Sequence, residues 1–199
     1  MNLPNRITLS RIILTIFIIF ILLFPFYAIN INLPKYNIKG IIVDTRYVIA
    51  GVLFIIASLS DLIDGHLARK TNQVTDTGKL LDAIADKVLV NSVLVIFTYN
   101  GFISPIVAVI YIFRDEVVNA LRMHALRKGI VVPAGTFGKI KTCSMMMGLS
   151  LMFFYNLPFE LFNINISDML LIVGTVLAII SCIQYYNDNK KKIKKIVSA

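Results

Sequence analysis

Residues 51–86 read GVLFIIASLSDLIDGHLARKTNQVTDTGKLLDAIAD. An apolar run stops at Asp61 and Asp64, and a second apolar segment opens on Asp82 and Asp86 after a short polar stretch. Spacings of three and four residues place each pair on one face of a helix, so two helices joined by a short loop can turn four carboxylates toward each other. Carboxylates that close repel and hold protons unless cations neutralise them. Oxygen ligands without His or Cys suit Mg²⁺ or Mn²⁺ better than Zn²⁺, and Mg²⁺ is commonly shared with a substrate phosphate. Pairing with Arg69, Lys79 and Lys87 at a solvated helix end accounts for one carboxylate at a time, not for four at helical spacing beside Gly65 and Gly78. Those glycines leave room for a bulky ligand against the helix backbone, and Arg69 adds a planar fork for phosphate.

Composition says where such helices sit. The chain has 199 residues, 57% of them hydrophobic and 16% charged, with a mean hydropathy of +0.79. A soluble domain of this size cannot keep that balance in water. A spanning helix needs about 20 mostly apolar residues, and stretches near that length occur at 7–29, 41–60, 80–99, 103–121, 140–157 and 168–186. The expected fold is all-α and integral to the membrane, with six transmembrane helices in a single domain over 1–199. The first segment lacks a small-residue cleavage site and is expected to be retained.

Lys and Arg collect on one side of these segments: Arg6 and Arg11, then Arg69, Lys70 and Lys79, then Arg122, Arg127, Lys128, Lys139 and Lys141, then Lys190 to Lys195. The other side holds only Lys35, Lys39 and Arg46. Basic residues stay cytoplasmic, so both termini and the aspartates are expected at the cytoplasmic face of a multi-pass protein of the cell membrane. The formal charge of +9 is then mostly topology and anionic-lipid attraction, not a nucleic-acid footprint. Cys143 and Cys182 are read as small buried hydrophobes, and neither His66 nor His124 has a partner at ligand spacing.

The run Asp61-Leu-Ile-Asp64-Gly65-His-Leu-Ala68-Arg69, eight residues, Gly78, three, Asp82, three, Asp86 resembles the complete signature of the CDP-alcohol phosphatidyltransferases. The resemblance implies a six-helix membrane core, a homodimer, a polar cavity facing the cytoplasm and two divalent cations, Mg²⁺ or Mn²⁺. It implies attack of an alcohol hydroxyl on the lipid-side phosphorus of a CDP-linked donor such as CDP-diacylglycerol, with CMP leaving. By the same resemblance Asp61, Asp64, Asp82 and Asp86 hold the metal, Asp86 also takes the hydroxyl proton, and Gly65, Ala68, Arg69, Thr75 and Gly78 line the donor pocket.

The acceptor must be read elsewhere. Asn5, Thr8 and Arg11 recur at three-residue spacing and resemble the N-x2-T-x2-R opening of bacterial family members that use glycerol 3-phosphate; they are assigned to the donor. Helix capping and positive flanking explain Asn5 and Arg6 without chemistry. In the fourth segment Arg114, Asp115 and Glu116 interrupt apolar residues, with Arg122 about two turns on. Gly138-Lys139-Ile140-Lys141-Thr142 resembles the GK-x-KT element of the same members, which is normally followed by Gln where Met145 stands here. Arg114, Arg122, Lys139, Lys141 and Thr142 suit an acceptor that carries its own phosphate, and glycerol 3-phosphate is expected. Inositol phosphate would use the same cluster; serine or phosphatidylglycerol would need it less. A divalent-ion transporter would place its carboxylates near the bilayer midplane, not at helix ends.

Overall fold

The computed structural model describes residues 3–31, 33–71, 76–127 and 135–197, and among these the side chains of 7–31, 33–60, 78, 81, 82, 84–125 and 135–190. Six α-helices occur among them: α1 (Leu3–Leu23), α2 (Thr45–Thr71), α3 (Asp76–Tyr99), α4 (Pro105–Arg127), α5 (Thr136–Phe153) and α6 (Ile166–Val197). The chain forms two compact units, one comprising residues 1–102 with 150–165 and the other 103–149 with 166–199, so α5 contributes its last turn to the first.

The helix boundaries have local causes. α1 ends at Leu23, short of the expected residue 29, because Pro25 follows and a 3-10 turn takes Phe26–Ile29. Residues 41–44, expected as the start of the second span, instead form β2 (Ile41–Asp44), antiparallel to β1 (Lys35–Ile38) with Ile38 opposite Ile41. Lys39 and Gly40 make the two-residue turn with φ of 50° and 95°, the left-handed pair that matches strand twist, and the Gly40 N–H donates to Asn37 Oδ1 at 2.8 Å. α3 ends in a Schellman turn, with Gly101 at φ 76° and the Phe102 N–H donating to Phe97 O at 2.9 Å. Pro105, which has no N–H to satisfy, opens α4.

In the first unit α1 packs on both α2 and α3. Its buried stripe is Thr8, Arg11, Thr15, Ile18 and Leu22, whereas Leu9, Ile13, Ile16, Phe17 and Phe20 are exposed. Polar groups face protein and hydrocarbon faces outward, an arrangement suited to lipid and not to water. Phe153 closes the core between Phe54 and Phe97, with ring centroids 5.3 and 4.6 Å away. It lies so near Gly51 that a Cβ there would meet Phe153 Cβ at 2.7 Å.

The second unit repeats the pattern. α6 buries Ser167, Leu171, Thr175, Ala178, Ser181, Tyr185 and Asn189, and exposes Met169, Ile172, Val173, Val176, Ile179, Ile180 and Ile183. Small residues let the helices approach: Gly174 of α6 receives the Tyr111 ring of α4, and Tyr111 donates to Leu171 O at 3.2 Å. Val118, Leu121, Ala125, Cys182 and Tyr185 pack lower along the same seam.

Among the described residues, only Ile166–Lys190 of α6 is long and apolar enough to cross a membrane by length and composition, at a mean hydropathy of 2.3 over its best window. Ile7–Leu23 and Thr45–Ser60 are shorter apolar stretches. The helices bearing the candidate site carry charges inside their apolar runs, Asp82, Asp86 and Lys87 in α3 and Arg114, Asp115 and Glu116 in α4.

Candidate active site

Asp61, Asp64, Gly65, Ala68 and Arg69 fall on the C-terminal half of α2, and Gly78, Asp82 and Asp86 on the N-terminal half of α3. Thr75 lies outside the described residues, as do the side chains of Asn5, Asp61, Asp64, Ala68 and Arg69. Both Asp82 and Asp86 are partly buried.

The firmest contact in this part of the molecule comes from α1. Arg11, with its side chain 1% exposed, donates through Nη1 to Asp82 Oδ1 at 3.0 Å, while the Asp82 side chain remains 49% exposed. One turn further along α1, Thr15 ties its hydroxyl to the Arg11 carbonyl at 2.8 Å, and one turn back Thr8 is buried. The structure thus brings Arg11 to a carboxylate of α3, and Thr8 is buried on the same stripe of α1.

The residue types fit a hard divalent cation: aspartates stand at one-turn spacing on α2 and on α3, and the Asp82 side chain is half open. Among the described residues no group of three His, Cys, Asp or Glu side chains forms a ready metal cage. Asp61 and Asp64, half of the expected set, are outside the side chains described.

The basic cluster belongs to the second unit, where α4, α5 and α6 line a cavity of about 140 Å³. Arg114, Arg122, Gly138 and Thr142 open onto it, together with Gly135, Val118, Ser181, Gln184, Tyr185 and Asp188. Arg114 is held by two bonds, Nη1 donating to Asp115 Oδ1 at 2.9 Å and Nη2 to Ser181 Oγ at 2.9 Å. Ser181 in turn donates to Ala178 O at 2.9 Å. Gly138 lies against Arg114, whose Nη2 would stand 3.4 Å, an ordinary contact, from a Cβ there.

Lys141 is placed differently. It is 2% exposed, donates to both Asp115 oxygens at 2.9 and 3.1 Å and lies 5.4 Å from the Tyr111 ring centroid, and it does not line the cavity. Lys139 is exposed and also outside the lining. Asp115 therefore joins two of the expected phosphate-binding cations, and a buried charge is matched by a partner as it must be. Sequence reasoning missed Ser181, Gln184 and Asp188 on α6. Their signal was present, since polar residues at positions i, i+3 and i+7 interrupt the last apolar helix on one face. The expectation of two buried cysteines is corrected at Cys143, which is exposed with Sγ 3.8 Å from Met147 Sδ, while Cys182 is partly buried in the α4–α6 seam.

Comparison with known proteins agrees with the signature. Residues 1–181 match the family model for CDP-alcohol phosphatidyltransferase. The chain is 35% identical over 193 residues to the CDP-diacylglycerol–glycerol-3-phosphate 3-phosphatidyltransferase of Bacillus subtilis, covering 97% of each chain. The enzyme of the same name from Rickettsia bellii is 31% identical over 96% of each chain, and that from Haemophilus influenzae 36% identical over 92% of this chain and 91% of its own. The match runs through both units and the whole signature, and the chain belongs to the CDP-alcohol phosphatidyltransferase family of membrane-associated, generally divalent-cation-dependent transferases.

Proposed function

We propose that this chain transfers the phosphatidyl group of CDP-diacylglycerol to glycerol 3-phosphate, giving phosphatidylglycerophosphate and CMP in phospholipid biosynthesis. The observation that carries the reading is the full-length likeness to transferases of that name, 35% identity over 97% of both chains in the case of Bacillus subtilis. Residues 1–199 act as one functional domain on this reading, since the family match is continuous from 1 to 181.

Asp61, Asp64, Asp82 and Asp86 are the residues that would hold two divalent cations, Mg²⁺ or Mn²⁺. Bound there, such ions supply charge neutralisation for the diphosphate and the departing CMP. The rest falls to the chain itself. Asp86, one turn beyond Asp82 on α3, accepts the proton of one of the two free hydroxyls of glycerol 3-phosphate as that oxygen attacks the lipid-side phosphorus and the bond to CMP breaks. Gly65, Ala68, Arg69, Thr75 and Gly78 receive the cytidine diphosphate portion, together with Asn5 and Thr8 from the start of the chain.

The acceptor's phosphate is assigned to the α4–α6 cavity. Arg114 and Arg122 present guanidinium forks and Thr142 a hydroxyl, the donor chemistry that a phosphate dianion requires. Lys139 adds an exposed positive charge on α5, and Lys141 acts through Asp115, which fixes Arg114. Six membrane-crossing helices, cytoplasmic termini and cavity, and a homodimer complete the proposal; the one-sided distribution of Lys and Arg supports the orientation.

The test is direct. Purified protein in detergent is given CDP-diacylglycerol with a panel of radiolabelled alcohols, with and without EDTA. Labelled phosphatidylglycerophosphate should form only from glycerol 3-phosphate and only without EDTA. Product from inositol phosphate or serine in its place would overturn the acceptor, and turnover in EDTA the metal assignment.

A further inference from the structure

A buried arginine that bonds to a candidate metal ligand has a use other than touching substrate. Arg11 is enclosed on α1, its side chain 1% exposed, and its Nη1 reaches Asp82 Oδ1 at 3.0 Å. A group so enclosed is badly placed to meet a lipid-linked nucleotide. Asp82 is the opposite, with 49% of its side chain open. Arg11 thus holds one carboxylate oxygen, Oδ1, of a side chain that is about half open.

We propose that Arg11 is a positioning residue, which orients the Asp82 carboxylate for metal rather than binding the CDP-linked donor. The inference rests on the reading of Asp82 as a metal ligand. Residues behind a metal ligand hold its rotamer and orientation, and their loss commonly weakens metal binding about 10- to 100-fold. Here the hold is itself anchored, because Arg11 sits on the buried stripe of α1 between Thr8 and Thr15, and α1 packs on both signature helices. A planar guanidinium on a packed helix fixes a carboxylate in a way that a flexible ammonium does not.

Sign separates this role from a merely electrostatic one. If Arg11 contributed only its positive charge, removing it would tighten cation binding, since like charges near a metal repel. If it orients Asp82, removing it weakens cation binding despite the charge relief. The experiment is Mn²⁺ titration of the purified full chain in detergent, with free Mn²⁺ read by electron paramagnetic resonance and no nucleotide present. CMP binding in EDTA is measured in parallel.

Arg11→Met should weaken Mn²⁺ binding about tenfold or more, and Arg11→Lys less, with CMP binding in EDTA unchanged in both. Mn²⁺ affinity that is unchanged or higher in the variants overturns the proposal, as does loss of CMP binding in EDTA with normal Mn²⁺ affinity, the mark of direct donor contact. Should Arg11→Met fail to fold, Arg11→Lys, which keeps the buried charge, is judged by the same rule. Asp82→Asn serves as the control: if it leaves Mn²⁺ binding intact, the metal-ligand reading fails; if it weakens binding while the Arg11 variants do not, only the positioning role fails.

Discussion

Replacing Lys141 by Met separates what the basic cluster does for the fold from what it does for the acceptor. Met keeps most of the apolar stem beside Tyr111 and removes the ammonium that donates to both oxygens of Asp115. Stripping one partner from a fully buried pair costs about 3–5 kcal/mol. The loss here is smaller, because Asp115 is 27% exposed and keeps its bond from Arg114 at 2.9 Å. About 2 kcal/mol is the reasonable figure for a charge-assisted contact partly replaced in this way. For a chain of this length that corresponds to a fall of roughly 4–8 °C in the thermal midpoint. Adding Asp115→Asn to Lys141→Met removes the stranded charge and should recover about half of the loss, since Asn still offers Arg114 an acceptor oxygen. Lys139→Met, at an exposed position, should leave the midpoint unchanged. Thermal unfolding in detergent, followed by circular dichroism, gives the midpoints, and steady-state assays give KM for each substrate. KM for glycerol 3-phosphate should rise in Lys141→Met while that for CDP-diacylglycerol stays flat. An unchanged midpoint in Lys141→Met would refute the structural argument; a rise confined to the donor's KM would refute the placing of the acceptor.

Arg122→Gln removes one guanidinium from the α4–α6 cavity and should raise KM for glycerol 3-phosphate about 10- to 150-fold, the equivalent of roughly 1.5–3 kcal/mol, without changing the thermal midpoint. Asp86→Asn should lower kcat about 100-fold or more while CDP-diacylglycerol binding changes less; equal losses in both would leave it a ligand and not the proton acceptor. Gly51→Ala drives a methyl into Phe153 and should cost about 1–3 kcal/mol, read as a lower midpoint with KM values unaltered in the folded fraction. Before α2, burial pushes the Asp44 carboxyl up, but the bonds it accepts from the Arg46 side chain and backbone, with that residue's charge, outweigh it and hold the pKa below 3.8. A lowered acid contributes stability that is present above pH 3.8 and is lost as pH falls through its folded value, so Asp44→Asn should lower the midpoint at neutral pH and the gap to the parent should close in acid.

The sequence made the helices legible because each is a long apolar run broken by turn residues, and the observed ends differ from the expected ones where local chemistry intervened. Ile41 to Val43 continue into the apolar start of α2 and share its hydropathy, so only the Lys39-Gly40 turn marked them as strand, a weaker signal than Asn-Gly. The signature aspartates were readable since charge in an apolar helix is costly and seldom accidental. Their partners were not. Nothing in the spacing of Asn5, Thr8 and Arg11 says that the third meets Asp82, and nothing in GK-x-KT says that Lys141 turns inward to Asp115 while Thr142 faces the cavity. Those facts depend on how helices rotate against one another, which hydropathy leaves undetermined.

Hydropathy fails in a consistent direction here, and the reason is physical. In α1 the buried stripe is richer in polar groups than the exposed one, and in α6 Ser167, Thr175, Ser181 and Asn189 are buried while Ile172, Val176, Ile179 and Ile183 are not. When the surroundings are hydrocarbon, outward apolar faces cost nothing, and helix contacts are made by small residues and by polar groups that satisfy one another. A core predicted from hydrophobicity alone would choose the wrong face of both helices. Asp82 and Asp86 on α3, and Arg114 and Asp115 on α4, likewise interrupt the apolar runs of the helices that carry the candidate site. On α6 the polar interruptions Ser181, Gln184 and Asp188 all line the α4–α6 cavity, so their spacing on one face marked that surface in the sequence.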